Sequence, residues 1–127
     1  EPEVSPEAAA AAGAAIVASG LYDYPNVISN LHSTPGIMRG ALDVRAASLN
    51  DNLFLSAARA LASVVDRRML GPRHIMPDLF CDEVVPKVAE AVAQAAVADG
   101  LAAHPLPKGQ VYNDTWERLF GGRAARL

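Results

Sequence analysis

A chain of 127 residues, 51% hydrophobic and 20% charged, has the size and composition of one ordinary globular domain and not of a disordered or fibrous segment. Its formal net charge of -3 and its scattered 11 basic residues offer no stripe that could release phosphate counterions, which argues against a nucleic-acid partner. The single cysteine, Cys81, excludes an intrachain disulfide and suits a reducing cytoplasm, and no apolar run approaches the roughly 20 residues of a spanning helix, so a soluble, cytoplasmic chain without a membrane partner is expected.

In chain order, Ser5-Pro6-Glu7 is a helix opening: a hydroxyl to cap free amides, a proline preset for the first turn and an acid favoured by the helix dipole. Ala8 to Ala12 continue that helix and Gly13 ends it. Ala14-Ala15-Ile16-Val17-Ala18 is short and uniformly apolar, so it reads as a parallel strand covered on both faces. Such a strand needs ladder partners on both sides, and the chain offers none. Together with a first residue other than Met, this leads us to expect a fragment of a longer chain.

Gly20 then releases the chain into a polar stretch that runs to Arg45, in which Val27 to Leu31 form a short strand or irregular backbone and Pro35-Gly36 acts as a breaker. Ser48 to Asp51 has the pattern of a capping box ahead of an amphipathic helix with Leu49, Leu53, Ala57, Leu61 and Val64 on one face. Arg67 and Arg68 favour its C-terminal end through the dipole, and Gly71-Pro72 stops it. Residues 74–80 read as an extended connector. Asp82 and Glu83 open another helix, bent at its start by Pro86, whose stripe of Val85, Val88, Val92 and Ala96 ends at Asp99-Gly100. A loop follows, and Asn113 or Asp114 caps a short last helix through Trp116 to Gly121. The division expected is 1–104 as the main unit and 105–127 as a C-terminal tail.

The stretch from Gly20 to Arg45 is chemically richer than a connector needs, because Asn26, Asn30, Ser29 and Ser33 sit among sharp turns just after an apolar run. In open α/β sheets, ligands gather beyond the carboxyl ends of strands. Here Ser19-Gly20, Asp23-Tyr24-Pro25-Asn26, Asn30 and the run from Pro35 to Ala46, followed by Ile75-Met76-Pro77-Asp78-Leu79-Phe80 and Val84-Val85-Pro86, resemble the malic enzymes of the bacterial type. The resemblance covers most of the chain and fades after about Pro105. It departs at Leu21-Tyr22, which replace the family's Arg-Ser, at Ser29, which replaces the first Asn of an Asn-Asn pair, and at Met38, which replaces a Phe.

The resemblance implies an α/β fold, the C-terminal portion of a Rossmann-like NAD(P)-binding domain, with one or two strands and about four helices in this chain. It implies oxidative decarboxylation of malate to pyruvate and CO2 with reduction of NAD or NADP, assisted by Mg or Mn. The partners it implies are malate and pyruvate, the rest of a malic enzyme chain, and further copies in a homo-oligomer, a dimer. It gives Asn30 a contact to substrate beside the nicotinamide. A neutral amide with two donors and one acceptor can orient a carboxylate or a carboxamide there. Ser29, shorter than the family's Asn, could keep its place in substrate or cofactor binding through a bridging water.

No catalytic residue and no metal ligand is expected in the chain itself. The glycine fingerprint, the metal carboxylates and the Tyr/Lys acid–base pair of the family have no counterpart here, and Tyr22, Tyr24, Lys87 and Lys108 do not match those positions. His32, His74 and His104 lack metal-site spacing and read as surface or hydrogen-bonded histidines. Asn26 and Asp23 read as loop-fixing Asx turns, Arg39 and Asp43 as an i, i+4 ion pair, and Cys81 as a half-buried inert thiol. Two other readings stand beside this one: a non-catalytic helical interaction module, and a malic enzyme fused to a phosphotransacetylase-like domain. The glycine fingerprint and metal carboxylates, sought upstream of Glu1 in the gene, discriminate the first of these.

Overall fold

A computed structural model describes residues 3–121; the end of the predicted tail, residues 122–127, lies outside them. Five α-helices occur among the described residues: α1 (Pro6–Ala11), α2 (Thr34–Asp43), α3 (Asp51–Val64), α4 (Val84–Ala98) and α5 (Gln110–Trp116). A 3-10 turn, Asn30–His32, precedes α2, and a π-helical turn, Glu117–Gly121, continues α5.

The first helix follows its sequence signals. Ser5 Oγ accepts from the Ala8 amide at 3.1 Å, Pro6 occupies the first turn, and Gly13 lies just beyond the end with φ 100°, a conformation that favours glycine. Residues 14–18 form no ladder; the only pairing nearby is a parallel bridge between Ser19 and Val27. With Ile16 52% exposed, residues 14–16 of the apolar run are uncovered within the described residues, and Val17 and Ala18 are half-buried. The second strand, possible at 27–31, is likewise replaced by this bridge and the 3-10 turn.

Helix α2 corrects the reading of Pro35-Gly36 as a breaker. Pro35 sits in the first turn, where its missing amide hydrogen would have no helical acceptor in any case. Gly36 and Gly40, four residues apart and so on one face, are both buried and turn toward α4. A Cβ on Gly40 would lie 2.2 Å from the Ala89 carbonyl oxygen, and one on Gly36 would lie 2.6 Å from Val88 Cβ. Only glycine lets the two backbones approach this closely.

Helix α4 is the centre of the core. Val88, Ala89, Val92, Ala93 and Ala96 are fully buried, and Val44, Leu53, Ala57 and Val111 from the surrounding elements join the same cluster. Burial therefore extends beyond the predicted single stripe, because α2, α3 and α5 all pack on α4. Pro86 is the third residue of this helix, again a position whose amide has no intrahelical acceptor.

Helix α3 begins two residues later than the predicted capping box: Asn50, not Ser48, is the cap, its Oδ1 accepting from the Leu53 amide at 3.0 Å. The Asn50 and Asn52 amide groups also donate to the Asp99 carboxylate beyond the end of α4. At its other end α3 stops at Val64, before the arginines read as dipole partners. Arg68 instead pairs with Asp66 at 2.6 Å, an exposed pair of little energetic weight.

The segments that follow α2 and α4 meet through an antiparallel bridge, Ala46 to Ala102, helped by a left-handed Arg45 with φ 50°. Helix α5 starts earlier than Asn113, and its cap comes from another helix. The Glu90 carboxylate of α4 accepts from the amides of Gly109 at 2.6 Å and Tyr112 at 3.0 Å, taking up donors that a helix start leaves unpaired.

Candidate functional site

Two loops border a cleft of about 590 Å³. The first loop gives it Tyr22, Tyr24, Val27 and Leu31, and the segment before α4 gives it Pro77 and Phe80. Its mouth is aromatic and open: Tyr22 is 70% and Phe80 83% exposed.

Asn26 holds the two loops together at one end. It is fully buried, and its Nδ2 donates to the carbonyls of Val17 at 3.0 Å and Pro72 at 2.8 Å while its Oδ1 accepts from the Ile75 amide at 3.0 Å. The expected loop-fixing role is present, but the partners are distant in sequence and not the local backbone of an Asx turn. Burial of an amide is tolerable only with such a set of bonds. His32 makes the second connection, its Nε2 lying 3.3 Å from the Pro77 carbonyl oxygen.

Between these connections lie the two residues singled out in the sequence. Ser29 caps the 3-10 turn, its Oγ accepting from the Leu31 amide at 3.3 Å. Asn30 is the first residue of that turn, is exposed, and its side-chain amide has no hydrogen-bond partner among the described residues. The turn leads at once into α2, which the glycine contact fixes on α4. Neither Ser29 nor Asn30 belongs to the cleft lining; their neighbour Leu31 does. The amide thus stands beside the cleft on a short, capped turn.

The other candidates fall as ordinary structure. Arg39 reaches Asp43 one turn along α2 through two hydrogen bonds, one of them Nε to Oδ2 at 2.8 Å, so its guanidinium is engaged within the helix. Cys81 is free and partly buried against the core. No group of three His, Cys, Asp or Glu side chains that could hold a metal occurs among the described residues. Among the described residues, the Mg or Mn that the resemblance implies has no such ligand set. No helix among the described residues is long and apolar enough to cross a membrane. Sequence reasoning missed the long reach of Asn26 and the deep burial of His32, for which the only hint was their position between turn signals.

Residues 8–97 match the model of the malic enzyme NAD-binding domain. The bifunctional malic/malolactic enzyme of Bacillus subtilis is 45% identical over 114 residues, covering 90% of this chain and 28% of that protein. The NADP-dependent malic enzyme of Escherichia coli is 36% identical over 129 residues, covering 90% of this chain and 17% of that protein. Among solved structures, the malic enzyme of Entamoeba histolytica superposes with a TM-score of 0.89 at 38% identity, covering 98% of this chain and 26% of that one. The chain thus spans less than a third of the length of these relatives. Its helices are those of the C-terminal portion of a Rossmann-like NAD-binding domain, and the chain belongs to the malic enzyme family.

Proposed function

We propose that this chain serves the oxidative decarboxylation of malate to pyruvate and CO2 with reduction of NAD or NADP, as part of the wall that holds substrate and nicotinamide. The observation that carries the proposal is the Asn30 amide: exposed, unpartnered and presented on a turn capped by Ser29. An amide free of protein bonds keeps two donors and an acceptor for a ligand, and being neutral it can orient a carboxylate without altering the charges that drive hydride transfer. Ser29 acts beside it, holding the turn and offering its hydroxyl for a bridging water. A nicotinamide cofactor, when bound, would supply the hydride acceptor for malate oxidation, with Asn30 placed to orient the substrate carboxylate beside it.

The fingerprint for the cofactor's pyrophosphate and the metal ligands belong, in this reading, to the rest of a malic enzyme chain, working as a homo-oligomer in the cytoplasm. The exposed start of the apolar run, residues 14–16, supports a covering partner. Residues 105–127 are, in this reading, the tail of the unit, and its helix α5 is seated on α4.

Steady-state kinetics test the site in the full-length enzyme carrying this chain. Asn30→Ala is expected to lower kcat/KM for malate about 100-fold, as loss of an oriented, desolvated amide would, with unchanged metal affinity and melting temperature. Asn30→Asp is expected to be worse, since it sets a charge against the substrate carboxylate. Wild-type kinetics in both variants would make Asn30 a plain loop residue and the site assignment wrong.

A further inference from the structure

His32 is an oddity of this core. Its ring is 1% exposed, yet only Nε2 has a partner, the Pro77 carbonyl; Nδ1 is buried with none. An unsatisfied polar atom in an apolar setting costs stability, and an apolar side chain of similar volume would avoid that cost. What the imidazole gains in return is one bond, and the position of that bond is informative. It joins the end of the turn that presents Asn30 to the residue at which the opposite wall of the cleft begins.

Asn26 already fixes the two loops near Pro72 and Ile75. Without His32, the stretch after Ile75, from Met76 to the start of α4, would have no side-chain bond to the first loop among the described residues, and the turn could shift against it. We infer that His32 is a positioning residue: through Nε2–H donating to Pro77 it sets the distance between the Asn30 turn and the Pro77–Phe80 wall, and so the place where the Asn30 amide meets substrate. This deepens the function proposed above and rests on that assignment of Asn30.

A carbonyl oxygen can only accept, so the donor role puts a proton on Nε2. It also distinguishes the two informative substitutions. His32→Leu fills the space, removes the buried orphan nitrogen and deletes the bond. His32→Gln places an amide N–H close to where Nε2 stands and can keep it.

The test is a kinetic cycle in the full-length enzyme carrying this chain. His32→Leu is expected to melt no lower than wild type while kcat/KM for malate falls about tenfold, mostly in kcat, because positioning is lost and not folding. His32→Gln is expected to stay within about threefold of wild type. In an Asn30→Ala background, His32→Leu is expected to cost almost nothing more, since residues that act through one another are not additive. Should His32→Leu fail to fold, the comparison of His32→Gln with His32→Ala carries the same test. Wild-type kinetics for His32→Leu, or a loss that adds fully to that of Asn30→Ala, would overturn the inference while leaving the Asn30 assignment intact. Wild-type kinetics for Asn30→Ala itself would remove the assignment, and with it this role for His32.

Discussion

Two regions of this chain are buried against their neighbours by opposite means. Between α2 and α4, Gly36 and Gly40 lie against Val88 and Ala89, and at these glycines the contact consists of backbone and small apolar groups in van der Waals reach. Across the cleft loops, the joining groups are polar side chains, the Asn26 amide with three backbone partners and the His32 ring with one. The first kind of contact has no tolerance for added volume, because interiors are packed as tightly as organic crystals. The second tolerates small displacement but depends on each donor and acceptor. A rigid helical pair thus carries a loop pair whose geometry can be tuned by single side chains, which suits a site built beside a scaffold.

The largest effect is expected where the packed contact is overfilled. Gly40→Leu must displace the α4 backbone at Ala89, and the expected loss is about 3 kcal/mol or more, enough to remove much of a domain's margin. Gly71 provides the control, since a Cβ there meets nothing within 4 Å. Gly71→Ala is expected to change stability by less than about 0.5 kcal/mol. Urea melts of both variants check the pair, and equal losses would mean that the close approach of α2 to α4 does not matter to the fold.

Next in size is Asn26→Ala, which strands two carbonyls and an amide and is expected to cost about 2 kcal/mol. Its effect should be local. Hydrogen exchange is expected to quicken at the Ile75 amide, whose acceptor is removed, while amides along α4 keep their protection. Quickening along α4 to the same degree would show that the loops and the helical pair unfold as one unit, and the contrast between the regions would dissolve.

What the sequence made legible follows the same division. The first helix and the central one could be read because their signals are local: Ser5 and Pro6 for α1, and the apolar periodicity from Val88 to Ala96 for α4. Helix α2 was hidden, since Pro35-Gly36 carries the local meaning of a turn, and the reason for a glycine facing Val88 lies 52 residues away in the chain. The cap of α5 was hidden for a like reason, as Glu90 belongs to another helix. The run at 14–18 was read as a strand from its composition; its apolar character is plain, but a ladder requires neighbours that these residues do not include. At the candidate site, Ser29 and Asn30 were singled out through the family pattern, whereas the bond from His32 to Pro77 spans 45 residues and leaves no periodic trace.

The smallest effect is expected at the junction of α3 with the end of α4, where the bond is polar but exposed. Hydrogen bonds from Asn50, and then from Asn52, hold the Asp99 carboxyl below its ordinary value of 3.8, because donors favour the ionised form. The sign follows from linkage: a carboxyl whose pKa is lower folded than unfolded adds stability above its unfolded value, and that stability is lost as pH falls through the folded value. Wild type is therefore expected to melt slightly above Asp99→Ala near neutral pH, and the gap is expected to close as the pH drops below 3.8. Asn50 still caps α3 through the Leu53 amide at any of these pH values, so the helix itself should survive the titration. Melting curves of the two proteins at matched pH and low salt would show the gap closing. A gap that stayed constant through the acid range would mean that Asp99 joins the helices by shape alone, and that its charge contributes nothing to the junction.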